Sequence, residues 1–100
     1  MANITSSCTF KEAVPQMGLK IIKVETPATA DSGDTLTLTL ADYGLKSIEA
    51  VQGFIHTTTD SVIEAEAPTT SVSSGVLTIT VGGSSVSNKK RVYIIYGDSD

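Results

Sequence analysis

Residues 34–40 read Asp-Thr-Leu-Thr-Leu-Thr-Leu, an unbroken alternation of apolar and hydroxyl side chains. Successive side chains of an extended strand point to opposite faces, so Leu36, Leu38 and Leu40 share one face and Thr35, Thr37 and Thr39 the other. A helix would scatter the leucines around its axis and restrict the threonine rotamers; pattern and propensity both predict a half-buried strand. Residues 76–81, Val-Leu-Thr-Ile-Thr-Val, repeat the logic and predict that Leu77, Ile79 and Val81 face inward.

The remaining chain is less regular. Phe10, Val14 and Met17 are spaced 4 and 3 apart, as on one helical face, but Pro15 interrupts them, and proline in a helix interior costs about 3 kcal/mol. Residues 1–18 are therefore read as an extended arm whose apolar groups dock on something; a short strand completing the chain's own sheet is the equal alternative. Residues 19–25 predict a strand ended by Pro27, and 26–34 a turn region rich in Pro, Asp, Ser and Gly. Residues 41–44 predict one helical turn or a tight loop closing at Gly44. Over 46–58 the phase of the strand pattern shifts: Ile48 and Ala50 share one face, and Val51, Gly53 and Ile55 the other. That shift predicts a bulge at 50–53, placed at Gly53. Residues 62–67 resume the period up to Pro68 and predict a hairpin with the preceding strand, 69–75 a polar connection, and 82–88 a flexible loop. Residues 89–97 are apolar on both sides after the initial basic run, which predicts a central strand.

About six strands with no helical segment long enough to cover a sheet predict an all-β fold. The favoured form is a compact antiparallel β-sandwich over 19–100 with the extended N-terminal arm 1–18; a flattened small β-barrel is the alternative.

Composition narrows the partners. One hundred residues fit one domain. Seven basic residues against eleven acidic ones give a net charge of -4, so no broad positive field exists to attract nucleic acid. Only 18% of residues are charged, which leaves the strand faces wetted by Ser and Thr. Neutral hydroxyls are less costly to desolvate than ionised groups, so such a surface suits protein contact. Cys8 is the sole cysteine and forms no internal disulfide. The first residues have neither a basic nor an apolar region of a secretory signal, and no apolar run approaches the roughly 20 residues that span a bilayer. The expected site of synthesis is the cytoplasm, with no membrane partner.

Candidate chemistry is sparse. His56 is the only histidine, and spacing supplies no carboxylate to orient it. Asp31 and Asp34 offer two carboxylates where Ca²⁺ wants six to eight oxygens, so they are read as turn caps. Glu64 and Glu66, two apart on one strand, are read as a solvent-facing pair. Lys89-Lys90-Arg91 is read as a solubilising run that discourages edge pairing. Gly82-Gly83 has no downstream Lys-Ser/Thr of a phosphate loop. No catalytic, cofactor or metal site is predicted, and the chain is expected not to be an enzyme.

Four stretches carry a resemblance: Val-Glu-Thr-Pro-Ala-Thr-Ala-Asp-Ser-Gly-Asp-Thr at 24–35, Tyr-Gly-Leu at 43–45, Gly-Phe-Ile-His-Thr-Thr at 53–58, and Ser-Gly-Val-Leu-Thr-Ile-Thr-Val-Gly-Gly at 74–83. With them the run 19–97 resembles small virion structural proteins of tailed bacteriophages. The resemblance implies a head decoration or cement role: a compact β domain, made in the host cytoplasm, that binds the major capsid protein on the outside of the virion, often as a trimer. It carries over no site residues. On that expectation Phe10, Val14 and Met17 are the guess for a protein interface. The alternative is a receptor- or carbohydrate-binding β module on a virion or fibre, for which Tyr43, Tyr93 and Tyr96 would supply an aromatic platform.

Overall fold

A computed structural model describes residues 3–12, 19–59, 61–82 and 89–99; the loop expected at 82–88 lies outside them save for Gly82. The described strands are β1 (Thr9–Glu12), β2 (Leu19–Glu25), β3 (Thr35–Thr39), β4 (Leu45–Thr58), β5 (Val62–Ala65), β6 (Thr69–Ser73), β7 (Val76–Thr80) and β8 (Arg91–Ser99). They form a five-stranded sheet in the order β1-β2-β8-β4-β5 and a three-stranded sheet in the order β3-β7-β6. All strand pairings are antiparallel.

The alternating leucines close the sandwich as expected. Leu36 pairs with Ile79 and Leu38 with Leu77, and these four side chains are at most 2% exposed. They meet Ile22, Val24, Tyr93 and Ile95 of the opposite sheet in one apolar cluster, joined by Leu40, Leu45 and Val81. Each such side chain contributes about 1.5–3 kcal/mol when fully buried. The β3–β7 register is fixed because a one-residue slip would turn every one of its leucines outward.

β8 is central, between β2 and β4, which accounts for half of its double-sided apolarity. Tyr93 and Ile95 face the core, while Val92, Ile94 and Tyr96 project from the other face of the sheet and stay half-buried there. The phase shift in β4 is real: its register against β8 slips between Ile48 and Ala50. The bulge therefore lies before Gly53, and Gly53 has another role. A Cβ there would stand 2.2 Å from the Glu66 carbonyl oxygen and 3.1 Å from the Tyr93 ring. Only glycine lets the chain after β5 fold down over β4 beside that ring.

One element departs from expectation. Residues 69–73 form β6, because tertiary pairing with β7 supplies a ladder that Thr-Thr-Ser-Val-Ser does not announce by any apolar alternation. Ser74 and Gly75, with φ of 52° and 77°, make the tight connection, as positive φ at both central residues of a two-residue hairpin requires. At the N-terminus, β1 pairs with β2, and the Ile4 N–H donates to the Thr35 carbonyl at 2.8 Å. The described part of the arm thus lies on the chain's own sheets. Leu40–Tyr43 forms a single 3₁₀ turn ended by Gly44 in the left-handed region.

Candidate functional site

Phe10 sits on β1, half-buried, with its ring 6.3 Å from that of Tyr43. Both rings pack against the edge of the chain's own core. Val14 and Met17 lie outside the described residues. The three tyrosines do not assemble into a platform. Tyr93 is completely buried, Tyr43 lies on the 3₁₀ turn, and Tyr96 donates to Gln52 Oε1 at 2.7 Å on the outer face of the five-stranded sheet. Burial pushes the Tyr93 phenol well above the usual tyrosine range, and its hydroxyl is buried with no hydrogen-bond partner among the described residues.

The acidic and basic pairs of the sequence are rearranged. Glu64 is exposed on β5, whereas Glu66 follows the end of that strand and turns inward to 4% exposure. It meets Arg91, which is completely buried and so contradicts its reading as a solubilising residue. The Arg91 Nε donates to Glu66 Oε1 at 3.1 Å and Nη2 to Oε2 at 3.4 Å. Nη1 donates to the carbonyls of Ala30 and Lys89, and the Arg91 backbone N–H donates to Thr26 Oγ1 at 2.7 Å. One guanidinium therefore ties together the turn after β2, the bend after β5 and the entry to β8. The Nε and Nη2 contacts to Glu66 use the fork geometry that lysine lacks. Sequence reading missed this pair because spacing 25 residues apart carries no signal.

Asp34 is buried and its Oδ2 accepts the Asp31 N–H at 2.9 Å, closing the turn. His56 is buried in β4, where its backbone N–H donates to the Lys90 carbonyl at 2.9 Å. Lys90 pairs with Glu25 at 3.0 Å. The Cys8 thiol donates to the Ile4 carbonyl at 3.3 Å, and burial pushes it up to about 11, so little nucleophilic thiolate exists at neutral pH. Among the described residues no group of His, Cys, Asp and Glu could hold a metal ion. A cleft of about 250 Å³ lies where β5 leaves β4, lined by residues 51–54 and 65–67. It falls below the ~300–1,000 Å³ of small-molecule sites, and its one ionisable group, Glu66, is committed to Arg91.

What the surface offers instead is contact area. Val62, Ile63 and Val72, exposed by 47%, 54% and 51%, are the large hydrophobic residues left in water among those described, and all lie on β5 or β6. These two strands are consecutive in sequence and each is the edge of its sheet. Their residues are exposed throughout, on both strand faces. The half-buried Phe54, Val92, Ile94 and Tyr96 extend apolar character from β5 across the outer face of the larger sheet.

No protein-family model matches the chain, and no curated protein matches it. Among solved structures the chain is similar to the bovine atadenovirus type 4 fibre head protein, with 12% identity and a TM-score of 0.44 over 89% of this chain and 95% of that one. A likeness at that level assigns no family.

Proposed function

We propose that this chain is a non-enzymatic virion structural protein that binds the major capsid protein on the outer surface of a tailed-phage head and reinforces the shell as a decoration protein. The observation that carries the reading is the concentration of exposed hydrophobic residues on β5 and β6. Uncharged hydroxyls surround Val72 on its strand, so this side can be desolvated at low cost. The resemblance of 19–97 to phage virion proteins supplies the class of partner. Several weak contacts of this kind, repeated over a lattice, bind by avidity without any one tight interface.

The test is sedimentation of purified protein with undecorated heads of the phage that encodes it. The expected result is saturable co-sedimentation at a fixed ratio to the major capsid protein, lost in an Ile63→Lys, Val72→Lys double variant. Protein that stays in the supernatant, or that binds glycans or host envelopes instead of heads, overturns the reading in favour of a receptor- or carbohydrate-binding module.

A further inference from the structure

We infer that β6 is a self-pairing edge: two copies of this chain join their three-stranded sheets by antiparallel β6–β6 pairing about a two-fold axis. The inference shares Val72 with the proposed capsid-binding side and leaves Val62 and Ile63 of β5 for the capsid, so its tests use the chain alone. Its basis is a comparison of the sheet edges. A strand edge presents unpaired N–H and C=O groups, and folded proteins blunt such edges with charge, bulges, short length or a covering segment. Here β3 is covered by the N-terminal segment, through Ile4 N–H to the Thr35 carbonyl at 2.8 Å and the Thr37 N–H to Thr5 Oγ1 at 2.9 Å. β1 carries exposed Lys11 and Glu12. β5 is four residues long and carries Glu64. The half of β4 that β5 leaves open carries exposed Lys46 and Glu49 and bulges between Ile48 and Ala50. β6, Thr-Thr-Ser-Val-Ser, is one residue longer than β5 and has no charge, no proline, no bulge against β7 and no covering segment among the described residues.

The register follows from the hairpin. Ser73 and Val76 flank the two-residue turn and exchange both of their hydrogen bonds; alternation then gives Ser71 with Thr78 and Thr69 with Thr80 the same arrangement. Thr70 and Val72 therefore aim their N–H and C=O groups away from β7, into the open edge. Two such edges match in antiparallel register when Thr70 of each copy exchanges both bonds with Val72 of the other. Ser71 then lies on the axis opposite its own counterpart, as a non-hydrogen-bonded pair with Cα atoms about 4.5 Å apart. With no charge on the strand, no like charges oppose across the axis, and each Val72 leaves water beside the other copy's Thr70. The contact is isologous and closes as a dimer, in place of the trimer that the family resemblance implies.

Two experiments on the full chain, without capsids, test this. Sedimentation equilibrium should give a mass rising towards twice the 10.4 kDa monomer with concentration. Thr70→Pro removes an outward N–H and spares the bonds to β7, and should weaken association at least tenfold, as should Val72→Lys; Ile63→Lys on β5 should not. In a Cys8→Ser background, Ser71→Cys should oxidise to a covalent dimer while Thr69→Cys and Ser73→Cys lag, a readout that survives if the proline variant misfolds. A wild-type chain monomeric up to about 1 mM, a trimeric mass, association indifferent to Val72→Lys, or equal crosslinking at all three positions overturns the inference.

Discussion

Replacing Glu66 by alanine removes the carboxylate to which Nε and Nη2 of the fully buried Arg91 guanidinium donate, at 3.1 and 3.4 Å. The Nη1 bonds to the neutral carbonyls of Ala30 and Lys89 do not replace the charge of that carboxylate. Breaking a buried ion pair from one side costs about 3–5 kcal/mol, against a total stability of roughly 5–15 kcal/mol for a domain of this kind. With a urea m-value of about 1–3 kcal/mol/M, the unfolding midpoint should fall by roughly 1–5 M. Equilibrium urea unfolding followed by circular dichroism measures this directly. The exposed Glu64→Ala change serves as control and should stay within about 0.5 kcal/mol. The paired replacement Glu66→Leu with Arg91→Met should recover most of the loss, because an apolar pair of similar volume leaves no unbalanced charge in the interior. A Glu66→Ala loss below about 1 kcal/mol, or a double variant no more stable than the single one, would refute the assignment of Arg91 and Glu66 as a mutually dependent buried pair.

Three further predictions concern other parts of the molecule. Gly53→Ala places a Cβ 2.2 Å from the Glu66 carbonyl oxygen and should cost about 1–3 kcal/mol through overpacking, read as a lowered thermal midpoint; an unchanged midpoint would show that the bend after β5 is free to move away. Tyr93→Phe removes a buried hydroxyl that has no partner among the described residues; such a group costs about 1–3 kcal/mol, so the variant should be at least as stable as the parent, and a clear loss in urea would contradict the unpaired state. The Lys90 ammonium, hydrogen-bonded to Glu25, and Lys23 beside it hold the Glu25 carboxyl below its ordinary value of 4.5. A lowered folded pKa means stabilisation present in full above 4.5 and lost as pH falls through the folded value. Lys90→Met should thus destabilise by about 0.2–1 kcal/mol at neutral pH and by less as the carboxyl protonates, measured by unfolding at several pH values; a difference that does not change with pH would exclude the ion pair as its source.

The interior of this fold is legible in the sequence because alternation records burial residue by residue. Leu36, Leu38, Leu77 and Ile79 reach water hardly at all, as their period requires. β6 is not legible, since an edge strand exposed on both faces imposes no apolar period, and its strand state comes from β7. Arg91 and Glu66 mislead for a related reason: charge type predicts exposure until a partner distant in sequence makes burial affordable. The apolar outer positions of β8 are visible in the sequence as double-sided hydrophobicity, but only the sheet order separates the face that enters the core from the face left open to contact.

The direct test of an interior closed by the alternating strands and a bare edge left for contact is amide hydrogen exchange resolved along β6. In dilute solution Ser71 and Ser73, bonded to β7, should exchange slowly while Thr70 and Val72 exchange near the rate of open chain, and the latter two should gain protection as concentration rises. Thr70 and Val72 amides protected equally at every concentration would mean that the edge is already covered within one molecule, and the account would be wrong.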